Sequence, residues 1–279
     1  MQSLAQYGLA ARVVLLRNTR PFRTLVHRPA LPRIEGPGQR AVDDLNTSGA
    51  HITSLRELGM EGDRQIFSQA LKLLDSVQFS SDRKGFIGSP PKSLLIENPD
   101  IYGWGLKHLL LDIIESYIEL PIHYRGVACR LDIADGQLSE TRLFHKDAED
   151  SRIVKIIVYL DDVSSEDGPF EYIPRDIGPT KHDLGERYFQ RVSDEIMERF
   201  VPRSDWVAAT GPAGTVVFVD TCNVWHRGRL PLNKGRKSCF YSYNSARPLR
   251  PDYCGPFEDS PVYRDLLEFD KRQERVAVY

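Results

Sequence analysis

The sequence predicts a mainly β protein with an α-helical N-terminal part, in which the strands form a double-sheet jelly roll. Two observations predict this fold class. Between residues 40 and 120 the apolar side chains recur at the three-and-four spacing of amphipathic helices. After Pro121 they recur instead in short runs bounded by Gly, Asp and Pro, which is typical of short antiparallel strands. Many short strands with long connections favour a jelly roll over a parallel sheet.

The chain is predicted to comprise four segments. These are a basic N-terminal segment (1–40), a helical support region (41–120), a β core (121–247) with a helical insertion at about 185–199, and a C-terminal extension (248–279). Helices are predicted at 41–45, 66–79, 106–118 and 262–272, and strands at 51–55, 123–133, 140–145, 152–160, 170–173, 206–210, 215–220 and 236–244.

Composition limits the class of protein. With 279 residues, 41% of them hydrophobic, the chain can bury a large core, and its mean hydropathy of −0.38 predicts a soluble protein. A formal charge of −2 gives no reason to expect nucleic acid, and no run approaches the roughly 20 apolar residues of a transmembrane helix. The cysteines show no CxxC pairing, which predicts reduced thiols and a cytoplasmic location: Cys129, Cys222, Cys239 and Cys254.

The first 34 residues differ in charge from the rest. They contain six arginines and no acidic residue, so that removing them takes the formal charge from −2 to −8. Such a segment can be an organelle-targeting peptide, an arm that contacts anionic membrane surfaces, or a basic surface segment without a targeting role. Pro21, Pro29 and Pro32 predict that no long amphipathic helix forms here, which favours the last of these. The sequence indicates no oligomeric state.

A candidate metal site is formed by His145, Asp147 and a distant histidine. His145 and Asp147 are two residues apart at the end of a strand-like run, so both side chains point the same way. Of the other histidines, only His226 lies in a strand-rich segment with an arginine, Arg236, ten residues further on. Two imidazoles and one carboxylate on one face of Fe(II) leave positions open for a cosubstrate and O2. Zinc can use the same atoms, although a hydrolytic zinc site also needs a general base.

A candidate carboxylate-binding site follows on the next strand. There Arg236 and Ser238 share a face, so a guanidinium and a hydroxyl can bind the distal carboxylate of 2-oxoglutarate together. Arg227 and Arg229 are nearer to His226 in sequence, but we expect them to fall in a turn.

The strand at 152–160 has two different faces. One is aliphatic and is predicted to pack against helices: Val154, Ile156, Val158 and Leu160. The other is mixed and is predicted to line the cavity, with Lys155 and Tyr159 as candidates for contacting 2-oxoglutarate or substrate. On the preceding strand Tyr124 and Arg130 are predicted to share the cavity face and to contact substrate, with a surface position as the alternative.

These motifs occur in an order that resembles the phytanoyl-CoA dioxygenase-like family of Fe(II)/2-oxoglutarate oxygenases. The similarity covers about residues 120–247 and rests on His145-x-Asp147, the run from Ile156 to Val163, the run from Asp167 to Pro174, the run from Gly214 to Phe218, and His226 with Arg236. It implies a double-stranded β-helix, the name for this jelly roll, with flanking N-terminal helices. It implies His145, Asp147 and His226 as iron ligands and Arg236 as the cosubstrate ligand. Phe144, where tryptophan is common, is one departure.

The sequence therefore predicts an enzyme that uses Fe(II), 2-oxoglutarate and O2 to hydroxylate an aliphatic carbon of a small molecule, releasing succinate and CO2. Related enzymes that halogenate carry a small residue in place of the carboxylate, so Asp147 favours hydroxylation. Three alternatives stay open: the same chemistry used for desaturation or cyclisation of a natural-product intermediate, a non-enzymatic jelly-roll ligand binder, and a zinc hydrolase. The substrate itself is not predicted.

Overall fold

A computed structural model of the protein describes residues 2–76, 87–90, 95, 97–138, 140–252 and 254. The helices in these ranges are α1 Gln2–His27, α2 Gly36–Thr47, α3 Arg64–Asp75, α4 Pro99–Gly103, α5 His108–Ile118, α6 Lys181–Leu184 and α7 Asp194–Met197. Short 3₁₀ turns occur at Arg28–Ala30, Glu61–Asp63, Trp104–Leu106, Glu140–Arg142, Gly185–Phe189 and Arg203–Asp205.

The described strands form two antiparallel sheets. They are β1 Ala50–Ser54, β2 Ile87–Gly88, β3 Ile122–Asp132, β4 Ile153–Tyr159, β5 Phe170–Ile173, β6 Val207–Ala209, β7 Thr215–Asp220, β8 Trp225–Gly228 and β9 Arg236–Ser245. The major sheet has the order β1-β7-β4-β9-β3-β2, and the minor sheet has the order β6-β5-β8. The predicted fold class, mainly β with an α-helical N-terminal part and a jelly roll, is confirmed. Strands β1 and β2 join the major sheet although they come from the segment predicted as helical support.

The outer face of the major sheet packs against the helices. Val154, Ile156, Val158 and Leu160 lie in one buried cluster with Leu110, Ile113, Ile114 and Tyr117 of α5 and with Ala41, Val42 and Leu45 of α2. The prediction for the aliphatic face of this strand is confirmed. Because successive side chains of a strand alternate in direction, the opposite face of β4 is free to point towards the minor sheet. Ile157 and Tyr159 pack there against Phe170 and Tyr172 of β5.

The prediction for Tyr124 is wrong because strand β3 contains a β-bulge. Its register against β9 shifts between Tyr124 and Gly126, which leaves one extra residue on β3. A bulge of one residue reverses the alternation, so Tyr124 and Arg130 lie on opposite faces. Tyr124 is buried in the helix-packed cluster, where its hydroxyl donates to the Tyr102 carbonyl oxygen at 2.9 Å. Arg130 keeps the predicted direction, towards the inside of the jelly roll.

The N-terminal segment forms a long helix, contrary to the prediction from its prolines. Helix α1 contains Pro21. Proline removes one hydrogen bond and leaves the carbonyl four residues earlier without a partner. Pro21 is exposed, so water can bond to that carbonyl, which lowers the cost of placing proline in this helix. Within the described residues, no helix combines the length and the apolar composition needed to cross a bilayer.

Other differences from the prediction are local. The segment predicted as a strand at 140–145 is a 3₁₀ turn followed by two isolated bridges, and β8, predicted as a turn, is a strand. The insertion at about 185–199 consists of short helical turns rather than one helix. The predicted helix at 262–272 lies outside the described residues, as do residues 77–79 at the end of the predicted helix at 66–79.

Candidate metal centre

Backbone hydrogen bonds bring His145, Asp147 and His226 together. The His145 amide donates to the His226 carbonyl oxygen at 3.0 Å, and the His226 amide donates back at 3.1 Å. The Asp147 amide donates to the Thr221 carbonyl oxygen at 2.9 Å. One ligand atom from each of the three side chains then lies within 4.8 Å of the others, close enough to hold one metal ion. The three predicted side chains therefore lie close together, and backbone hydrogen bonds keep them there.

Both imidazoles are oriented by the same type of hydrogen bond. His145 Nδ1 lies 2.9 Å from the Leu143 carbonyl oxygen, and His226 Nδ1 lies 3.2 Å from the Val224 carbonyl oxygen. A carbonyl oxygen only accepts hydrogen bonds, so each Nδ1 carries the proton and each Nε2 has a free lone pair. Metal-binding histidines are commonly oriented in this way. The ring of Phe170 stacks on His226 with centroids 5.7 Å apart.

The protonation states suit metal binding. Burial lowers the pKa of His226 to about 3, and burial also lowers the pKa of His145, so both rings are neutral at pH 7. Burial alone would raise the pKa of Asp147, but the Lys155 ammonium, its hydrogen bond to the carboxylate and the neighbouring His226 and His145 together outweigh burial, so that the net pKa is lowered. Lys155 Nζ lies 2.6 Å from Asp147 Oδ2. Asp147 is thus ionised, and its second oxygen is left for a metal.

Arg236 is a buried cation that has unused hydrogen-bond donors. Its Nη2 donates to Asp132 Oδ2 at 2.6 Å, and both side chains are almost fully buried. Its Nε and Nη1 find no hydrogen-bond partner among the described residues, and the same holds for Ser238 Oγ. Buried donors without partners are costly, and in native proteins they commonly point to a bound ligand or an ordered water. An anion bound beside Arg236 and Ser238 would satisfy these groups.

Gly228 on β8 lies against the Arg236 guanidinium. A Cβ at this position would come within 3.1 Å of Arg236 Nη2, so glycine permits the close approach. The two competing arginines are occupied elsewhere. Arg227 is buried and paired with Glu171, with Nε to Oε2 at 2.7 Å, and with Asp194. Arg229 is more exposed than Arg227, and its Nη1 lies 3.8 Å from Glu171.

Two adjoining cavities lie at the centre. The first, of about 170 Å³, is lined by the three candidate ligands and also by Arg130, Lys155, Arg227, Arg236 and Phe240. The second, of about 350 Å³, shares Arg130, Lys155 and Phe240 with the first. The volume of the second falls in the range of about 300–1,000 Å³ typical of small-molecule pockets.

The predicted role of Tyr159 as a cosubstrate contact stays a prediction; its hydroxyl lies beside the Arg236 guanidinium. Tyr159 points to the inside of the jelly roll as expected, but it does not line either of these cavities. Its hydroxyl donates to the Ala209 carbonyl oxygen at 2.7 Å and accepts from the Phe170 amide at 3.1 Å. The proton of this hydroxyl is therefore used in a hydrogen bond to a strand of the minor sheet. Tyr159 holds β5 and β6 in place.

Several residues of the centre were not predicted from the sequence. Asp132 was missed although it stands two residues after Arg130, the spacing that places both on one strand face. Thr221 was also missed; it follows β7, lines the smaller cavity, and its Oγ1 has no partner among the described residues. No local signal marks Phe170 or Phe240, since an aromatic residue on a strand is usually part of the core.

Neither a protein-family model nor a curated protein matches this chain. Solved structures do share its fold. HygX from Streptomyces hygroscopicus, solved with nickel and 2-oxoglutarate bound, has a TM-score of 0.54 and 16% identity over 77% of this chain and 88% of HygX. SnoN, a non-haem α-ketoglutarate-dependent epimerase from nogalamycin biosynthesis, has a TM-score of 0.51 and 16% identity over 80% and 89%. SnoK, a carbocyclase from the same biosynthesis, has a TM-score of 0.52 and 16% identity over 75% and 84%.

At these identities the comparisons show the fold alone, which this chain shares with HygX, SnoN and SnoK. They do not single out the phytanoyl-CoA dioxygenase-like family.

The metal centre predicts that the protein binds one divalent ion through the three side chains. We expect His226→Ala or Asp147→Ala to weaken binding of Ni²⁺ by at least about 100-fold. Loss of a residue that only hydrogen-bonds to a metal ligand already lowers metal affinity about 10- to 100-fold. Isothermal titration calorimetry on metal-free protein measures this directly. His182→Ala, which removes an exposed imidazole on α6, is the matched control and should bind Ni²⁺ normally. Equal losses in all three variants would contradict the assignment.

Proposed function

We propose that this protein is a non-haem Fe(II)- and 2-oxoglutarate-dependent oxygenase that hydroxylates an aliphatic carbon of a small-molecule substrate. The observation that carries the proposal is the juxtaposition of two features in one cavity. The first is a set of two neutral imidazoles and one carboxylate, and the second is the buried guanidinium of Arg236 with unused donors. A zinc hydrolase or a plain ligand binder has no use for both together.

The residues present fit the iron and the cosubstrate. His145, Asp147 and His226 would hold Fe(II), and the remaining positions would stay open for 2-oxoglutarate and O2. Arg236 and Ser238 would bind the far carboxylate of 2-oxoglutarate through charge-assisted hydrogen bonds. Bound Fe(II) with 2-oxoglutarate supplies the activation of O2 that oxidises the substrate and yields succinate and CO2. The protein's part is to position the substrate and to exclude side reactions.

The outcome of the oxidation depends on where the substrate carbon lies. Proteins of the same fold include an epimerase and a carbocyclase, so desaturation or cyclisation is the alternative to hydroxylation. Small errors in substrate placement change rates steeply, and the same sensitivity selects between these products. Asp147 keeps hydroxylation ahead of halogenation in this proposal.

The first test is spectroscopic. Under anaerobic conditions, we expect Fe(II) and 2-oxoglutarate together to produce a weak visible metal-to-ligand charge-transfer band, because the keto acid chelates the iron. Fe(II) alone and 2-oxoglutarate alone serve as controls and should give no band. A folded, metal-loaded protein without the band would contradict the oxygenase assignment and favour the zinc hydrolase or the ligand binder.

The role of Arg236 is tested with a variant that keeps its charge. We expect Arg236→Lys to raise the 2-oxoglutarate concentration needed for the band by roughly 100-fold, since an ammonium cannot reproduce the paired donors of the guanidinium. The retained charge still neutralises Asp132, so metal binding should be unchanged. Ser238→Ala, which removes a hydroxyl with no described partner, should give a smaller effect of about tenfold. Unchanged 2-oxoglutarate binding in both variants would move the carboxylate site elsewhere.

We propose further that the substrate carries an anionic group recognised by Arg130. This guanidinium lies 4.8 Å above the Phe240 ring and lines both cavities. Among the described residues it has no hydrogen bond or salt bridge, and burial lowers its pKa, although the nearby carboxylates of Asp132 and Asp147 act in the opposite direction. The larger cavity also contains Arg125, Lys155 and one acidic residue, Glu149. A largely buried cation without a partner is stabilised when an anion binds beside it.

Matched pairs of compounds test the role of Arg130. A screen for stimulation of succinate release would pair carboxylic acids with their methyl esters and phosphate monoesters with their parent alcohols. We expect the active compounds to be the anionic members, and Arg130→Gln to lower kcat/KM for them by roughly 100-fold through loss of a buried charged contact. The charge-transfer band should be unchanged in Arg130→Gln. Equal activity of the neutral members, or loss of the band, would overturn this role.

A further inference from the structure

Helix α1 is attached to the rest of the protein through one face. Arg20 donates from Nη2 to the Ile118 carbonyl oxygen at 2.7 Å and from Nη1 to Ser151 Oγ at 3.0 Å. At the C-terminal end of the helix, His27 Nε2 lies 2.8 Å from Glu115 Oε1. These contacts fix the helix on the body and leave its other side facing solvent.

The solvent side of α1 is apolar except at Asn18. Five of the eleven large hydrophobic side chains that are exposed among the described residues lie on it, each between 57% and 68% exposed: Val14, Leu15, Phe22, Leu25 and Val26. We call these five residues the apolar face of α1. At 3.6 residues per turn they fall within an arc of about 120°, the width of the apolar stripe by which a helix normally packs on a core. Here the stripe points away from the core.

Positive charge borders the apolar face on both sides. On the helical wheel, Arg17 lies at one edge of the arc, and Arg12 and Arg23 lie at the other. The first 34 residues contain no acidic side chain, whereas the rest of the chain has a formal charge of −8. An anionic surface would therefore attract α1 and repel the body, which would turn the apolar face towards that surface.

The apolar face continues into a groove. A groove of about 470 Å³ beside α1 is lined by Phe22, Val26, Leu120, Pro121 and Ala246, with Arg23, His27 and Arg247 also lining it. Leu120 and Pro121 directly precede β3, and Ala246 directly follows β9. The apolar surface is thus shared between α1 and one end of the major sheet, which makes it larger than a single helix stripe.

We propose that α1 is an interfacial helix that binds this protein to the surface of an anionic lipid bilayer. Apolar side chains on one arc, with arginines at its edges, are the features by which a helix lies in the plane of a membrane. Each basic residue near an anionic bilayer adds to the attraction. A second copy of the chain is a poorer occupant, since two apolar faces packed together would bring their arginine borders into contact.

Vesicle flotation of the full-length protein tests the proposal, and it requires neither metal nor cosubstrate. We expect binding to phosphatidylglycerol vesicles, weaker binding to phosphatidylcholine vesicles, and loss of the difference at high salt. Phe22→Ser combined with Leu25→Ser should weaken binding by roughly thirtyfold through loss of apolar burial. Arg28 is exposed, directly follows α1 and continues the edge marked by Arg17. Arg17→Gln combined with Arg28→Gln should weaken binding by about as much at low salt.

The matched control removes two equally exposed apolar side chains elsewhere. Phe189→Ser combined with Leu232→Ser, at residues that are 72% and 71% exposed, should bind the vesicles like the unmodified protein. Failure of the full-length protein to bind phosphatidylglycerol vesicles would overturn the proposal, as would equal losses in the control. A smaller oligomer on size-exclusion chromatography of the Phe22/Leu25 variant, without vesicle binding by the unmodified protein, would assign the face to a second copy instead.

Discussion

The reciprocal backbone hydrogen bonds between His145 and His226 are the interaction on which the centre depends. They join a turn that follows β3 to a strand of the minor sheet, two segments far apart in the chain. With the Asp147 amide bonded to Thr221, the main chain determines where all three ligand side chains begin. The donor atoms are therefore close together before any ion arrives, so little conformational entropy is lost when one binds.

The centre also contains an arrangement that stability alone does not explain. The Arg236–Asp132 pair is buried, and such a pair gains little over apolar residues of the same size once both charges are removed from water. Beside it, donors on Arg236, Ser238 and Thr221 lack partners among the described residues. Arg236 and Thr221 line the same cavity, and unsatisfied groups that line one cavity are typical of sites selected for binding rather than for stability. Arg130, which lines the same cavity, has no hydrogen bond among the described residues either.

Much of the fold could be predicted because it depends on regular periods, and the candidate metal ligands could be predicted from their spacing and their order along the chain. The alternation along β4, for example, assigned its two faces correctly, and the spacing of His145 and Asp147 placed them on one side. The rest depended on irregular or long-range features. A one-residue bulge reversed the direction of Tyr124, and no local sequence pattern predicts this bulge. The pairing of Asp132 with Arg236 depends on strand register, and the tolerance of Pro21 depends on which side of α1 faces water.

The contact between Lys155 and Asp147 has a consequence for how the protein acquires its ion. Metal ligands usually bind protons in competition with the ion, so uptake releases protons and weakens in mild acid. Here burial has already removed the protons from Nε2 of both imidazoles, and the ammonium of Lys155 keeps the carboxylate ionised. At neutral pH the three metal-binding atoms therefore carry no proton that an arriving ion would have to displace. Loading at that pH is then nearly free of proton exchange, and its heat does not depend on the ionisation enthalpy of the buffer.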